Sequence, residues 1–249
     1  MHPEGEFMNN PKKPIAVVTG ASRGVGAAIA QRLAKMDFHL CLCARNRDEL
    51  TEIKSKITAI GGSASVHPCD IAVPEQVESF ARDVLSAHER CDVLVNNAGV
   101  GEAPCPVHKL NLEQWERMQN VNLRGPFLML RAFAPAMIAS GSGHVINIGS
   151  LAGKNPLPNG AGYAASKWGL LGLMLSAAEE LRAHGVRVSV VSPGSIATRF
   201  AAGDAEAREA SQWKIAPEDI AEVVAGIVTQ SDRSFISEVL VRPRRSRPR

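Results

Sequence analysis

Ile15-Ala16-Val17-Val18-Thr19-Gly20-Ala21-Ser22-Arg23-Gly24-Val25-Gly26 decides the fold of this chain. Its first five residues form an apolar, β-branched run with the length of one buried strand. Three glycines follow in G-x-x-x-G-x-G spacing, and residues 27–35 have helical composition. The order is therefore strand, glycine-rich turn, helix. Gly20 permits the tight turn, Gly24 lets backbone approach a diphosphate, and Gly26 allows close helix packing. The helix N-terminus adds N–H donors and a positive dipole for the phosphates.

Outward from this stretch the pattern alternates. Strands are predicted near 15–19, 38–43, 64–67, 92–95, 144–148, 186–191 and 236–241. Helices are predicted near 24–35, 46–60, 74–88, 111–139, 163–184 and 217–229. Such alternation implies a doubly wound α/β fold of the Rossmann type, with about seven parallel strands and helices on both faces. Ligands in that architecture bind beyond the carboxyl ends of the strands. Thr19, Ala44, Asp70, Asn96, Ser150 and Pro193 all fall at or just past predicted strand ends, so the motifs converge on one crevice.

Tyr163-Ala164-Ala165-Ser166-Lys167 carries the chemistry, with Ser150 thirteen residues before the tyrosine. A phenol titrates near pH ~10 and is a poor acid at neutrality. A lysine four residues later on a helix lies on the same face, one turn away. Its charge favours the phenolate and is expected to lower the tyrosine pKa. A nearby serine hydroxyl can hold a substrate oxygen. Together these groups can move a proton on or off a carbonyl or alcohol oxygen.

The motifs jointly resemble those of the short-chain dehydrogenase/reductase family, in its branch of about 250-residue single-domain members. Thr19-Gly20-x-x-x-Gly24-x-Gly26 is similar to that family's cofactor motif. Asn96-Asn97-Ala98-Gly99 is similar to the motif after its fourth strand, and Pro193-Gly194-Ser195-Ile196-Ala197-Thr198 to its P-G-x-x-x-T nicotinamide loop. The match spans roughly residues 13–241. The resemblance implies a catalytic set of Asn122, Ser150, Tyr163 and Lys167. It places the cofactor phosphates over Gly20, Ser22, Arg23, Gly24, Val25 and Gly26. Arg45, Asp70 and Ile71, with Asn97, Ala98 and Gly99, are expected along the adenosine and the middle of the cleft. Pro193, Gly194, Ile196 and Thr198 are expected to orient the nicotinamide, and Tyr163 and Lys167 to reach its ribose. Asn122 is expected to support a water relay through Lys167.

Cofactor choice follows from the turn after the second strand. An acid there accepts hydrogen bonds from the adenosine ribose and repels a 2′-phosphate. Here the turn reads Ala44-Arg45-Asn46-Arg47, and Asp48 comes only in the next helix. Guanidinium pairs with phosphate through charge-assisted, often bidentate bonds. NADP(H) is therefore expected over NAD(H), with Arg45 and Arg23 on the 2′-phosphate.

The five cysteines are odd in number and form no C-x-x-C, so neither a disulfide framework nor a metal site is expected. The seven histidines show no metal-ligand spacing. No run reaches the ~18 apolar residues of a membrane span, and no secretory signal is read, so a cytoplasmic protein is expected. Residues 1–13 read as a disordered leader, 14–241 as the folded domain, and 242–249 as a basic disordered tail. The tail holds five arginines, and removing them takes the formal charge from +3 to −2 (3 − 5). The folded body is thus not basic, and a nucleic-acid partner is not expected.

The expected partner is a small carbonyl or alcohol substrate, in a homodimer or homotetramer built through the helices near 111–139 and 163–184. A mobile lid is expected over residues 199–214. Leu151, Lys154, Leu157 and Pro158 are expected on the opposite wall, with the lysine suited to an anionic or carrier group. A 3-oxoacyl-carrier-protein reductase is one alternative, although residues 236–243 lack the glycine-rich ending common in those enzymes. A non-catalytic NADP(H)-binding sensor or scaffold is the alternative of a different class.

Overall fold

The computed structural model describes residues 13–198 and 213–245. Most of the expected leader, the lid residues 199–212 and the tail residues 246–249 lie outside the described residues. Seven parallel strands form one sheet: β1 (Ile15–Thr19), β2 (His39–Ala44), β3 (Ser63–Pro68), β4 (Val93–Asn96), β5 (Gly143–Ile148), β6 (Val186–Pro193) and β7 (Glu238–Val241). Their order is β3-β2-β1-β4-β5-β6-β7, so the topology reverses between β1 and β4. Such a switch point opens a crevice at the carboxyl ends of the two strands.

Among the described residues, seven α-helices connect the strands: α1 (Gly24–Ala34), α2 (Arg47–Ala59), α3 (Pro74–His88), α4 (Leu112–Gln119), α5 (Gly125–Ser140), α6 (Ala161–Leu181) and α7 (Pro217–Val228). Strand β1 shows why the fold has three layers, because its alternate residues serve opposite cores. Ile15 and Val17 pack with Val77 and Phe80 of α3, Phe133 of α5 and Leu170 of α6. Ala16 and Val18 pack with Ile29 and Leu33 of α1, Leu50 and Ile53 of α2, and Ile220 and Val224 of α7. A strand buried on both faces reads as a continuous apolar run rather than an alternating one.

The long helix predicted over 111–139 is instead α4 and α5 joined by a π-helical turn, Asn120–Arg124. The extra residue per turn there coincides with Asn122, whose side chain bonds a separate loop. π turns of this kind concentrate at functional sites. Gly125 follows because a Cβ at this position would meet Ile71 Cδ1 at 2.6 Å. Past β7, Pro243 continues the fold against Gly194, where a Cβ would meet its Cδ at 3.0 Å.

Candidate active site

The glycine turn and the loop after β6 meet directly. Gly20 and Gly24 have φ of +64° and +56°, in the left-handed region that favours glycine. A Cβ on Gly26 would lie 2.3 Å from the Gly20 carbonyl oxygen, so only glycine lets α1 start this close to β1. A Cβ on Gly24 would meet Thr198 Cγ2 at 3.3 Å, which sets the P-G-x-x-x-T loop against the turn. That loop is anchored by Gly194 N–H donating to the Val241 carbonyl and Ala197 N–H to the Ile215 carbonyl. Pro193 is buried at the end of β6, and Ile196 pairs with Ile215 in an isolated bridge.

The N-terminus of α1 fits a diphosphate. Arg23 makes no side-chain cap, and the first turn holds no acidic residue. Its N–H groups are therefore not claimed by a capping side chain, and the positive end of the helix faces the crevice. Ser22 is half-buried there, Val25 is buried beneath it, and Arg23 is exposed. Arg45 is exposed just past β2. The acid that follows, Asp48, is inside α2, whose N-terminus is capped by Asn46 Oδ1 accepting from Asp48 N–H at 2.9 Å.

Asp70 ends the loop after β3 with its carboxylate accepting the Ala72 N–H at 3.0 Å. The Ile71 side chain is buried against the start of α5. Asn97 braces the turn, because its Nδ2 donates to the Thr19 and Gly20 carbonyls at 2.9 and 3.2 Å. Thr19 Oγ1 accepts the N–H groups of Asn97 and Ala98, both at 3.0 Å, and so aligns the strand-end loop through Gly99.

Ser150 follows β5 and Tyr163 is the third residue of α6. Their hydroxyls are hydrogen-bonded to each other. The half-buried Tyr163 has its pKa pushed up by burial, with the Ser150 hydrogen bond acting against the rise. This reverses the expectation that the lysine lowers it. Lys167 is 5% exposed, and its Nζ donates to the Ile148 carbonyl at 2.9 Å, 5.9 Å from the centre of the Tyr163 ring. Burial disfavours the charged form of both groups, and the Lys167 amine is brought down to about 8.

Asn122 is fully buried. Its Oδ1 accepts the Val100 N–H at 2.8 Å, and its Nδ2 donates to the Val100 carbonyl at 2.8 Å and to Ser166 Oγ at 3.0 Å. Ser166 Oγ in turn donates to the Tyr163 carbonyl at 2.7 Å. The Asn122 side chain thus ties the loop after β4 to the tyrosine turn, and its amide is committed to that bracing.

The bracing roles of Thr19 and Ser166 were not among the expectations, although Thr19 was read as part of the glycine-turn motif. A hydroxyl three residues past Tyr163 on the helix face was the available signal for Ser166. Lys154 Nζ pairs with Glu238 Oε2 at 2.7 Å, so the expected cation of the substrate wall is neutralised by β7. Leu157 of that wall is exposed.

The family model for short chain dehydrogenases matches residues 14–209. The chain belongs to the short chain dehydrogenase family. As a short chain dehydrogenase it is an oxidoreductase, and solved structures of its relatives share the whole architecture. A metagenomic short-chain oxidoreductase solved with NADP is 54% identical, with a TM-score of 0.83, covering 94% of this chain and 98% of that one. An alcohol dehydrogenase from Thermococcus sibiricus, solved with 5-hydroxy-NADP, is 31% identical with a TM-score of 0.85, covering 95% and 99%. Among curated relatives, a 3-oxoacyl-[acyl-carrier-protein] reductase of Synechocystis is 37% identical over 185 residues, 74% of each chain.

Proposed function

We propose that this short chain dehydrogenase interconverts a carbonyl and a secondary alcohol with NADP(H), using Tyr163 as general acid and base. The observation that carries the reading is the hydrogen-bonded pair Ser150 and Tyr163, with the Lys167 amine anchored at the end of β5 beside them. NADPH supplies the hydride when bound. Ser150 holds the carbonyl oxygen and Tyr163 gives that oxygen its proton. The buried Lys167 supplies positive charge one helical turn away and reaches the nicotinamide ribose. Asn122 positions this set through Ser166.

The phosphates fit the N–H groups of Gly24, Val25 and Gly26, with Ser22 at the rim. Arg23 and Arg45 take the 2′-phosphate. Asp70, Ile71 and the segment Asn97 to Gly99 flank the adenosine side. Pro193, Gly194, Ile196 and Thr198 flank the nicotinamide side. The NADP-type ligands in two similar structures support this preference.

A homodimer or homotetramer fits the exposed apolar side chains on the helices that the sequence assigns to assembly: Trp115, Phe127 and Trp168, the last 50% exposed. A cytoplasmic setting fits the five free thiols. Among the described residues no helix is long and apolar enough to cross a membrane. The resemblance to the Synechocystis enzyme favours 3-oxoacyl thioesters as the second reading. The sensor reading asks for tight cofactor binding without turnover.

The test is a titration with NADPH and NADH by cofactor fluorescence, followed by NADPH consumption against 3-oxoacyl thioesters, 3-oxo acids, diketones, quinones, aldehydes and steroid ketones. Saturable binding, tighter for NADPH, with turnover of at least one carbonyl is expected. Failure to bind either nucleotide overturns the proposal.

A further inference from the structure

We propose that His39, Cys41 and His88 form a site for a zinc-type divalent cation, at the end of the sheet opposite Tyr163. His39 opens β2, and Cys41 lies two residues on, so both project from one face of the strand. Cys41 belongs to the core on the face covered by α3, together with Val77, Phe80 and Val84. His88 is the last residue of that helix and comes down onto the same spot. The ligand atoms of the three side chains all lie within 4.8 Å of one another. Zinc takes imidazole nitrogen at about 2.0–2.1 Å and thiolate at about 2.3 Å, which requires ligand atoms roughly 3.3–3.8 Å apart. The half-buried His88, at a helix end, has room to close that difference.

The second observation is an unmet nitrogen. His39 Nδ1 lies 3.0 Å from Ser63 Oγ, its register partner on β3. With Nδ1–H donating to that hydroxyl, Nε2 presents a lone pair, and this buried atom has no hydrogen-bond partner. A packing role for His39 leaves that nitrogen desolvated with nothing in return, whereas a metal ion uses it. Ser63 then does what outer-shell groups do for metal-bound histidines: it fixes the tautomer and the ring orientation. The two imidazoles already lie together, with ring centres 4.7 Å apart and planes tilted by 45°. Lys13 and Lys54 place positive charge near His39, and Lys13 is itself paired with Asp37.

Two nitrogens and one sulfur make a three-ligand set, with a fourth position for water. On binding, the Cys41 thiol proton leaves to solvent as the sulfur–metal bond forms, with no change of oxidation state. The ion would pin the C-terminus of α3 to the β2–β3 edge. Spacing in the sequence could not show this set, because a strand and a distant helix end bring it together.

The experiment adds Co²⁺ to the untagged full-length protein under reducing, chelator-free conditions. One equivalent is expected to produce a sulfur-to-cobalt charge-transfer band with tetrahedral d–d bands, both removed by Zn²⁺. Zinc is expected to raise the Tm and a chelator to reverse it, since a ligand of the folded state alone stabilises it. Ser63→Ala is expected to weaken cobalt binding roughly 10–100-fold, and His88→Ala at least as much. Cys41→Ser is expected to abolish the charge-transfer band. Its fold is checked by circular dichroism, and the part-exposed His88 gives a decisive variant if the Cys41 variant does not fold. Absence of the band in the wild type, or an unchanged band and affinity in His88→Ala, overturns the proposal.

Discussion

Lys167 donates through Nζ to the carbonyl oxygen of Ile148 at 2.9 Å, which holds a buried amine at the last residue of β5. The bond sets where positive charge sits in the crevice, 5.9 Å from the centre of the Tyr163 ring. Burial, rather than that bond, moves the two titrating groups. Enclosure on the sheet end penalises ammonium and phenolate alike, so the amine falls to about 8 and the phenol rises.

The Lys167 shift predicts a pH dependence of stability. Below about pH 8 the amine is protonated in both folded and unfolded chains, and the cost of burying it is constant. Between about 8 and the ordinary value of 10.5 the folded state has lost the proton and the unfolded state keeps it, so stability rises with pH. The rise is on the order of 3 kcal/mol and levels off above 10.5. Urea denaturation of wild type and Lys167→Met across this window is expected to show the rise in their difference. A flat or falling difference contradicts the buried amine.

Asn122 predicts a stability cost away from the reacting atoms. Asn122→Ala leaves both backbone groups of Val100 without the amide that now satisfies them. An unsatisfied group costs ~1–3 kcal/mol when buried, and both of these belong to the half-buried Val100, so a total loss of roughly 1–3 kcal/mol is expected in denaturant titrations. A loss below about 0.5 kcal/mol, the scatter of ordinary surface substitutions, would mean that the loop after β4 is held by something else.

Arg45 predicts the nucleotide preference. Arg45→Ala is expected to weaken NADPH about tenfold or more, since a hydrogen bond to a charged group is worth ~1.5–3 kcal/mol. NADH binding should be unaffected, because only the 2′-phosphate is lost as a partner. Equal weakening of both nucleotides, measured by fluorescence titration, rules out 2′-phosphate recognition by this residue.

The fold was legible because β1 and the glycine turn obey local rules. Apolar β-branched residues make the strand, and left-handed or crowded backbone makes the glycines at 20, 24 and 26. Boundaries came close for the same reason, as at Pro74–His88, where proline begins the helix and Glu89 in the left-handed region ends it. The π turn at Asn120–Arg124 was not legible, since it depends on Asn122 finding Val100 across the crevice. Nor was the rise in the Tyr163 pKa, because helical spacing puts Lys167 on the right face but says nothing of how deeply the fold encloses the phenol. The neutralisation of Lys154 by Glu238 is likewise a tertiary pairing, between a loop and the last strand. Residue spacing thus anticipated that Ser150, Tyr163 and Lys167 come together, while the direction of their pKa shifts depended on burial that only the fold supplies.

The central claim is that Tyr163 supplies the proton to a carbonyl substrate. The most direct measurement compares NADPH consumption by wild type and Tyr163→Phe with a carbonyl the wild type reduces, alongside NADPH affinity for both. General acid catalysis is worth ~10²–10⁴-fold. The account predicts a loss of kcat of at least that order with NADPH affinity unchanged. Equal turnover by the two proteins would contradict it.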